Sequence, residues 1–471
     1  MIDKNYIQKN IIKIISIFIF LWGSFNLIQQ LNQPFHYDFD AFRCAAQSTQ
    51  SGNDPYLQEP LHTCEASIGA DLAAHSPVAI PAPQPPYIQT FFLTLLLIPR
   101  EAMWVIWSLL SLSAAIFGAI LLKKITNYPI YIGLATFSIP LWLPGAEVGA
   151  PATFSAVALV LTGWSIKEKK WNIAILGLLI ASIQPNLAAP VWLALFLIQP
   201  EMRIRIGLSS IALLGLGCFP RGIHAWSEWI TQVLPVHALS EIGGFSQIGT
   251  ASVLKNIGLE SHLSENIAWI QWLLVVGLSI YVAKRQYSKN EKQWIVFLPM
   301  AAAAVGGTFL HVQDAAFAVP ALLIYSTYKK SIPVYIALII LSGCWFVGYD
   351  RLNLLPLVMA GPLLLIEEFL EVKIFINLLV SGTIAYAITS GHNIVMDEMT
   401  QQHVWDRLAA LPHPSPDIVA GYTWGAYQII QGSPGPTWFF KGITLLALTI
   451  IPWICLKILT QSNKKYLKIN I

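Results

Sequence analysis

The sequence predicts an all-α polytopic membrane protein, a single integral membrane domain over residues 1–471, and three observations predict it. Hydrophobic residues make up 55% of the chain and charged residues 11%, where an ordinary soluble domain carries about 25% charged residues. The mean hydropathy is +0.59. The basic residues gather in short clusters separated by apolar runs, the pattern of cytoplasmic loops between membrane helices. A net charge of +3 gives no reason to expect a nucleic-acid partner.

Lys4, Lys9 and Lys13 precede the first apolar run, so the N-terminus is expected on the cytoplasmic side. No signal-peptide cleavage site follows that run, which reads as a retained anchor. The clusters Lys123-Lys124, Lys167–Lys170, Arg203/Arg205, Lys284/Arg285/Lys289/Lys292, Lys329-Lys330 and Lys464-Lys465/Lys468 all fall on the same side for one set of spans. These spans lie near 12–31, 102–122, 128–144, 150–166, 171–185, 186–199, 206–219, 266–284, 293–310, 314–328, 332–348, 352–366, 373–390 and 437–456. A full crossing needs roughly 17–25 residues, which gives about 12–14 transmembrane helices because some of these pieces are short. The short ones are 171–185, 186–199 and 314–328, which read as broken or tilted helices. Tyr87–Pro99 reads as a re-entrant or interfacial helix.

This topology leaves three extracytoplasmic loops, about 32–86, 220–265 and 391–436. Their Pro, Gly and aromatic residues point to ordered surface loops. Cys218, Cys344 and Cys455 lie in or beside apolar helices and read as small hydrophobes. Cys44 and Cys64 share the first outer loop, where oxidation is permitted, and are a disulfide candidate; the alternative packs Cys44 inside a short helix starting near Asp40.

The polar residues concentrate on the outer face. His36-Tyr37-Asp38-Phe39-Asp40-Ala41-Phe42-Arg43 is followed by Gly52-Asn53-Asp54-Pro55-Tyr56. Asp38 and Asp40 are the candidate catalytic carboxylates, since a general base must lie within hydrogen-bond reach of the hydroxyl it deprotonates. The competing reading makes one of them a helix N-cap, and Asp40, just ahead of Ala41-Phe42, fits a cap better. A metal-binding reading of Asp-x-Asp, of the kind used with nucleotide sugars, is disfavoured because nucleotide sugars are cytosolic and this pair faces outward.

His311-Val312-Gln313-Asp314 ends another span on the same side, where ionisable groups are costly and usually functional. His311 is a candidate site residue, with Gln313, Asp314 and Tyr56 as substrate-binding candidates and Asp314 also readable as a helix cap. Gln84-Pro85-Pro86-Tyr87 fixes an extended entry into the interfacial helix, which would line a path for a lipid tail. Outer cations are few: Arg43, Arg100, Arg221, Lys255, Arg351, Arg407 and Lys441. Arg221, at a helix end, is the first choice for steadying a leaving phosphate, where charge develops in the transition state. His392, His403 and His413 have no metal-ligand spacing on one element and read as surface residues.

Asp38-Phe39-x-Ala41-Phe42-x-x-Ala45-Ala46, Gly52-x-Asp54-Pro55-Tyr56, Pro85-Pro86 with its apolar run to Pro99, Trp107, and His311 through Asp314 to Pro320 together resemble glycosyltransferase family 87, the polyprenol-phosphate-mannose-dependent mannosyltransferases. The similarity spans roughly residues 30–330. The chain departs from that pattern at Gly149-Ala150-Pro151-Ala152 and at Gln184-Pro185. The resemblance implies a GT-C-type multi-helix bundle, a polyprenyl-phosphate sugar donor, no nucleotide sugar, no cofactor and inversion at the anomeric carbon. It matches Asp38 to the family's general base and His311 to the histidine near the donor phosphate. The expected activity is hexosyl transfer, mannosyl by the resemblance, to a glycolipid or glycan acceptor on the extracytoplasmic face of the cell inner (plasma) membrane. The competing class is a transporter or flippase of lipid-linked or polyol cargo, for which the short spans meeting at Gln184-Pro185-Asn186 are the best support.

Overall fold

In the computed structural model, residues 35–137, 149–244, 247–308, 310–329, 331–342, 398–431 and 437–467 are described, with scattered helical positions between 10 and 24. The expected spans 12–31, 352–366 and 373–390, the ends of 128–144 and 332–348, Cys344, Arg351 and His392 lie wholly or mainly outside the described residues. Among the described residues the chain is helical, with no strand.

The first connecting segment holds α1 (Tyr37–Gln50), α2 (Gln58–Ser67), α3 (Asp71–His75) and α4 (Pro86–Leu95). The helical bundle follows with α5 (Arg100–Thr126), α6 (Ile130–Phe137), α7 (Ala152–Lys167), α8 (Trp171–Ala181), α9 (Pro185–Ile198) and α10 (Pro200–Gly217). The second connecting segment holds α11 (His224–Glu228), a π-helical turn (Trp229–Val233), α12 (Leu234–Glu241) and α13 (Thr250–Asn256). Then come α14 (Ser261–Tyr287), α15 (Trp294–Ala303), a 3-10 turn (Val312–Ala318), α16 (Val319–Tyr328) and α17 (Ile332–Ser342). Further along, α18 (Glu398–Ala409) and α19 (Gly421–Gln431) form a third connecting segment, followed by α20 (Thr437–Leu448) and α21 (Ile450–Leu467).

Among the described residues two helices, α5 and α14, are long and apolar enough to cross a membrane. Each has 27 residues, about 40 Å at 1.5 Å per residue, against a hydrocarbon core of about 30 Å. Their ends explain their length. α5 starts after Pro99, carries Glu101 in its first turn and Lys123-Lys124 in its last, and stops at Asn127 in a left-handed conformation (φ 61°). α14 is capped by the Glu260 carboxylate, which accepts from the His262 and Leu263 amides, and ends with Lys284 and Arg285.

Four further apolar helices, α7, α8, α9 and α15, run only 10–16 residues, for local reasons. A proline opens α9 at Pro185 and α10 at Pro200. The expected span 293–310 is helical only over Trp294–Ala303, because Gly306-Gly307 turns the chain, Gly307 at φ 99°. α9 and α15 each also carry an internal proline, Pro190 and Pro299. The interfacial helix expected at Tyr87–Pro99 is α4, Pro86–Leu95.

The main core lies where α5, α7, α8, α9, α15 and α16 meet. It includes Leu159, Leu178, Val191, Phe297 and Leu322, all essentially without solvent contact. α7 and α15 approach so closely that a Cβ on Gly163 would come within 2.5 Å of the Phe297 ring. A smaller cluster under the first connecting segment joins Phe39 and Phe42 of α1 to Phe92, Trp104 and Trp107. Phe39 packs against Trp104 and Trp107 with ring centroids 5.4 and 5.6 Å apart. α1 therefore sits on the N-terminal end of α5, opposite that helix's two lysines.

Candidate active site

A cavity of about 540 Å³ opens between the connecting segments and the helical bundle. Three polar groups come from different parts of the chain: Asp38 from α1, Glu265 from α14, and His311 with Gln313 and Asp314 from the turn before α16. Trp229, Trp269 and Trp272 supply flat apolar walls, and Gln184, Pro185 and Asn186 bring the first turn of α9 to the edge. Among the described residues no Lys or Arg lines this space. The lining residues of α14 belong to its first turns, so the cavity, like α1, lies at the end of the long helices opposite their basic termini.

Asp38 occupies the first turn of α1, two residues after the N-cap His36. Burial raises its pKa to about 6; His311 opposes that rise, and the carboxylates of Glu241 and Asp314 add to it. The carboxylate is thus half-ionised at about pH 6, mostly ionised at neutrality, and faces an apolar cavity. His311 and Asp314 form a reciprocal turn. The His311 amide donates to Asp314 Oδ2 at 2.9 Å, and the Asp314 amide donates to the His311 carbonyl at 3.0 Å. Asp314 therefore satisfies the amide at the start of the 3-10 turn from inside that turn, rather than capping α16 as its first residue.

Asp40 is not placed as a catalytic group or as the helix cap. α1 begins at Tyr37, so Asp40 lies a full turn inside it. Its carboxylate is fully buried, accepts the His36 amide at 2.7 Å and forms a two-point pair with the Arg100 guanidinium, Nε to Oδ1 at 2.7 Å. This ties α1 to the start of α5, and Asp40 does not line the cavity. His36, stacked on Trp104 with centroids 3.5 Å apart, is held neutral: burial lowers its pKa to about 4, with Asp40 opposing and Arg100 adding.

Arg221 is likewise placed away from the cavity. It forks onto both oxygens of Asp54, at 3.2 and 2.9 Å, and onto Glu228 at 2.8 Å, and lines no part of the cavity. The Gly52–Tyr56 motif is the other half of that clamp. The Tyr56 amide donates to Asp54 Oδ1 and the Tyr56 hydroxyl donates to the Gln84 carbonyl, both at 2.9 Å. Tyr56 thus supports cavity-lining Gln84 from behind instead of facing a substrate. Arg43 donates to the carbonyls of Leu95 and Ile98 at the end of α4, and Lys441 to the Gly244 carbonyl. Cys44 and Cys64 are joined in a disulfide that links α1 to α2, their Cα atoms 5.7 Å apart.

Sequence reasoning missed several residues. His237 lines the cavity and is held neutral, its pKa lowered to about 4 by burial, with Glu241 opposing and His311 adding. Glu241 and Gln247 connect to His311 from the second connecting segment. No motif marks them, and only folding of 220–265 over the bundle end brings them in. Glu265 carried a detectable signal, a carboxylate in the apolar helix that holds Trp269 and Trp272.

Comparison with family models, with curated proteins and with solved structures finds no match for this chain.

Proposed function

We propose that this protein is an integral membrane glycosyltransferase of the GT-C type, which moves a hexose, mannose on the sequence resemblance, from a polyprenyl-phosphate donor to a glycolipid or glycan acceptor on the extracytoplasmic face. The observation that carries the reading is Asp38: a carboxylate of raised pKa in an apolar, tryptophan-lined cavity, at the end of the long helices opposite their basic termini.

In this reading Asp38 takes the proton from the acceptor hydroxyl. The acceptor oxygen forms its bond to the anomeric carbon as the bond from that carbon to the phosphate oxygen breaks, and the configuration inverts. Positive charge spreading over the sugar ring is favoured by the carboxylates of Asp38, Glu265 and Asp314, as it is between glycosidase carboxylates. The tryptophan faces suit a pyranose ring. With Arg221 engaged elsewhere, the leaving phosphate is received by His311 and by the positive end of α9, whose first turn borders the cavity. A second cavity of about 450 Å³ runs between α9 and α10, lined by Trp192, Leu193, Phe196 and Ile206; it shares Pro185 and Ala189 with the first. It offers an apolar path for the donor tail.

One observation favours the transporter class: α8 and α9 break at the cavity edge, and α15 ends at Gly306-Gly307 beside it. The test separates the two. Purified protein is incubated with polyprenyl-phosphate mannose and a panel of glycolipids, and products are sought by mass spectrometry, with Asp38→Asn in parallel. A mannosylated product from the native protein alone is the expected result. No product, together with movement of the donor lipid between leaflets of proteoliposomes, supports the rival.

A further inference from the structure

Two uncharged side chains of the cavity wall stand on firmly held backbone and make no hydrogen bond of their own. Gln313 lies inside the His311–Asp314 turn and is 7% exposed. The two bonds that close that turn fix its backbone. Its side-chain amide has no hydrogen-bond partner among the described residues and is not sealed off from the cavity it lines. Gln84 lies between Pro83 and Pro85, just ahead of α4. Its carbonyl accepts the Tyr56 hydroxyl at 2.9 Å, and the Pro83 carbonyl accepts the Trp229 indole N–H at 2.8 Å. The Gln84 side-chain amide also has no partner among the described residues, and the residue lines the same cavity.

Burying an amide costs stability unless its donors and acceptor are used. Gln313 can meet that cost only from inside the cavity. An amide presents N–H and carbonyl oxygen side by side, while a hydroxyl both donates and accepts, so one amide engages two neighbouring hydroxyls. Ionised Asp38 and Glu265 accept hydrogen bonds but donate none. Gln84 and Gln313 add N–H groups to that acidic wall without adding charge. Trp229, Trp269 and Trp272 bring flat apolar faces to the same space. Apolar faces beside uncharged amides suit an uncharged ring that carries several hydroxyls.

We propose that Gln84 and Gln313 are specificity-determining residues that recognise a pyranose by hydrogen bonds to its hydroxyls, and that Tyr56 is a positioning residue for Gln84. Whether that ring is the transferred sugar or a sugar of the acceptor is a question that rests on the transferase reading. The recognition of a pyranose rests only on the cavity wall. Tyr56 then has a task one step behind the site: its hydroxyl fixes the peptide from which Gln84 reaches the cavity.

Saturation-transfer NMR of the full-length protein in detergent reads binding without turnover, with the methyl glycosides of mannose, glucose and galactose as probes. The native protein is expected to bind at least one of them. Gln84→Leu and Gln313→Leu are each expected to raise its Kd by about 10-fold, the loss of about one net hydrogen bond. Gln84→Met and Gln313→Met, which keep the unbranched shape, are expected to act alike, and melting checks the fold of each variant. Tyr56→Phe is expected to raise the Kd by less, about 3-fold, and to add nothing to Gln84→Leu, a coupling that a merely structural tyrosine would not show. A native protein that binds none of the three glycosides overturns the proposal. A folded variant with the native Kd overturns it for that glutamine. In the transfer assay the Leu variants are expected to raise KM by a similar factor, for the donor if the ring is the transferred sugar and for the acceptor if it is the receiving one. If glycoside binding depends on both amides but no sugar is transferred, the transferase reading fails and the pyranose site stands. If sugar is transferred and neither amide changes Kd or KM, the pyranose assignment fails alone.

Discussion

Asp38 sets up a conflict between stability and activity that can be measured. Its pKa lies at about 6 in the folded protein against an ordinary 3.8. The folded state therefore holds a proton on Asp38 that the unfolded chain releases between these values, so stability from this group is present below pH 3.8 and is lost as pH rises through about 6. The difference corresponds to about 3 kcal/mol as a ceiling. Asp38 faces the cavity, which admits water, and that screening lowers the expected cost to about 1 kcal/mol.

Asp38→Asn removes the charge and keeps the shape. The variant is expected to melt a few degrees higher than the native protein at pH 7.5 and to equal it at pH 4. Its transfer rate is expected to fall by about 10²–10⁴-fold, the usual contribution of a general base. On the transferase reading, kcat of the native protein is expected to fall tenfold for each pH unit below about 6, because one carboxylate must ionise. Differential scanning fluorimetry gives the first quantity, and a pH series of the mass-spectrometric transfer assay the second. An Asp38→Asn protein that is less stable at pH 7.5, or an acid limb centred below pH 4.5, would refute the reasoning.

Asp40→Ala leaves the Arg100 guanidinium without its buried partner and is expected to cost about 3 kcal/mol, the low end for a broken buried pair because Arg100 is 19% exposed; denaturant melts check it. Reducing the Cys44–Cys64 bond frees a loop with a sequence separation of 20 and is expected to cost up to about 3 kcal/mol, seen as a lower Tm with reductant that a Cys44→Ser/Cys64→Ser variant does not show. Arg221→Gln is expected to lower Tm by releasing Asp54 and Glu228 while leaving the donor KM unchanged; a large rise in KM would return Arg221 to the phosphate. A sugar donor carrying a pyrophosphate in place of the monophosphate is expected to show no turnover above background in the same transfer assay.

The elements that rest on periodicity and end signals were legible in the chain. Pro99 with Glu101 and Lys123-Lys124 marks α5, and Pro86 marks the start of α4. The pairing of Asp38 with the His311–Asp314 turn was legible because both segments are polar interruptions on one side of an apolar chain. The fate of Asp40 and Arg221 was not. Each is a charged residue near a helix end, and nothing local says that its partner is Arg100, sixty residues on, or Asp54 from the first connecting segment. Burial decides these cases, because a charge taken from water must find a partner, and burial is a property of the assembled connecting segments. The same holds for Glu241, Gln247 and Trp424, which share no spacing and meet only after α12 and α19 pack together.

The charge composition of the cavity constrains the reaction further than the fold does. Asp38, Glu265 and Asp314 are acidic, His237 is held neutral, and no Lys or Arg lines the space among the described residues. Such a site favours positive charge at its centre and is a poor host for a multiply charged anion. A transition state with cationic character on the sugar ring matches it, with the lost negative charge pushed toward the α9 terminus, where a helix end supplies about half a positive charge and directed N–H groups. A phosphodiester donor leaves as a monoester phosphate and brings one negative charge into the ground state, which that terminus and His311 can offset together. A pyrophosphate-linked donor would bring at least one more, with no guanidinium or ammonium lining the cavity among the described residues to meet it. On the proposed transferase reading, the separation of the carboxylates from the cations at Arg100 and Arg221, both already paired outside the cavity, favours a monophosphate-linked sugar.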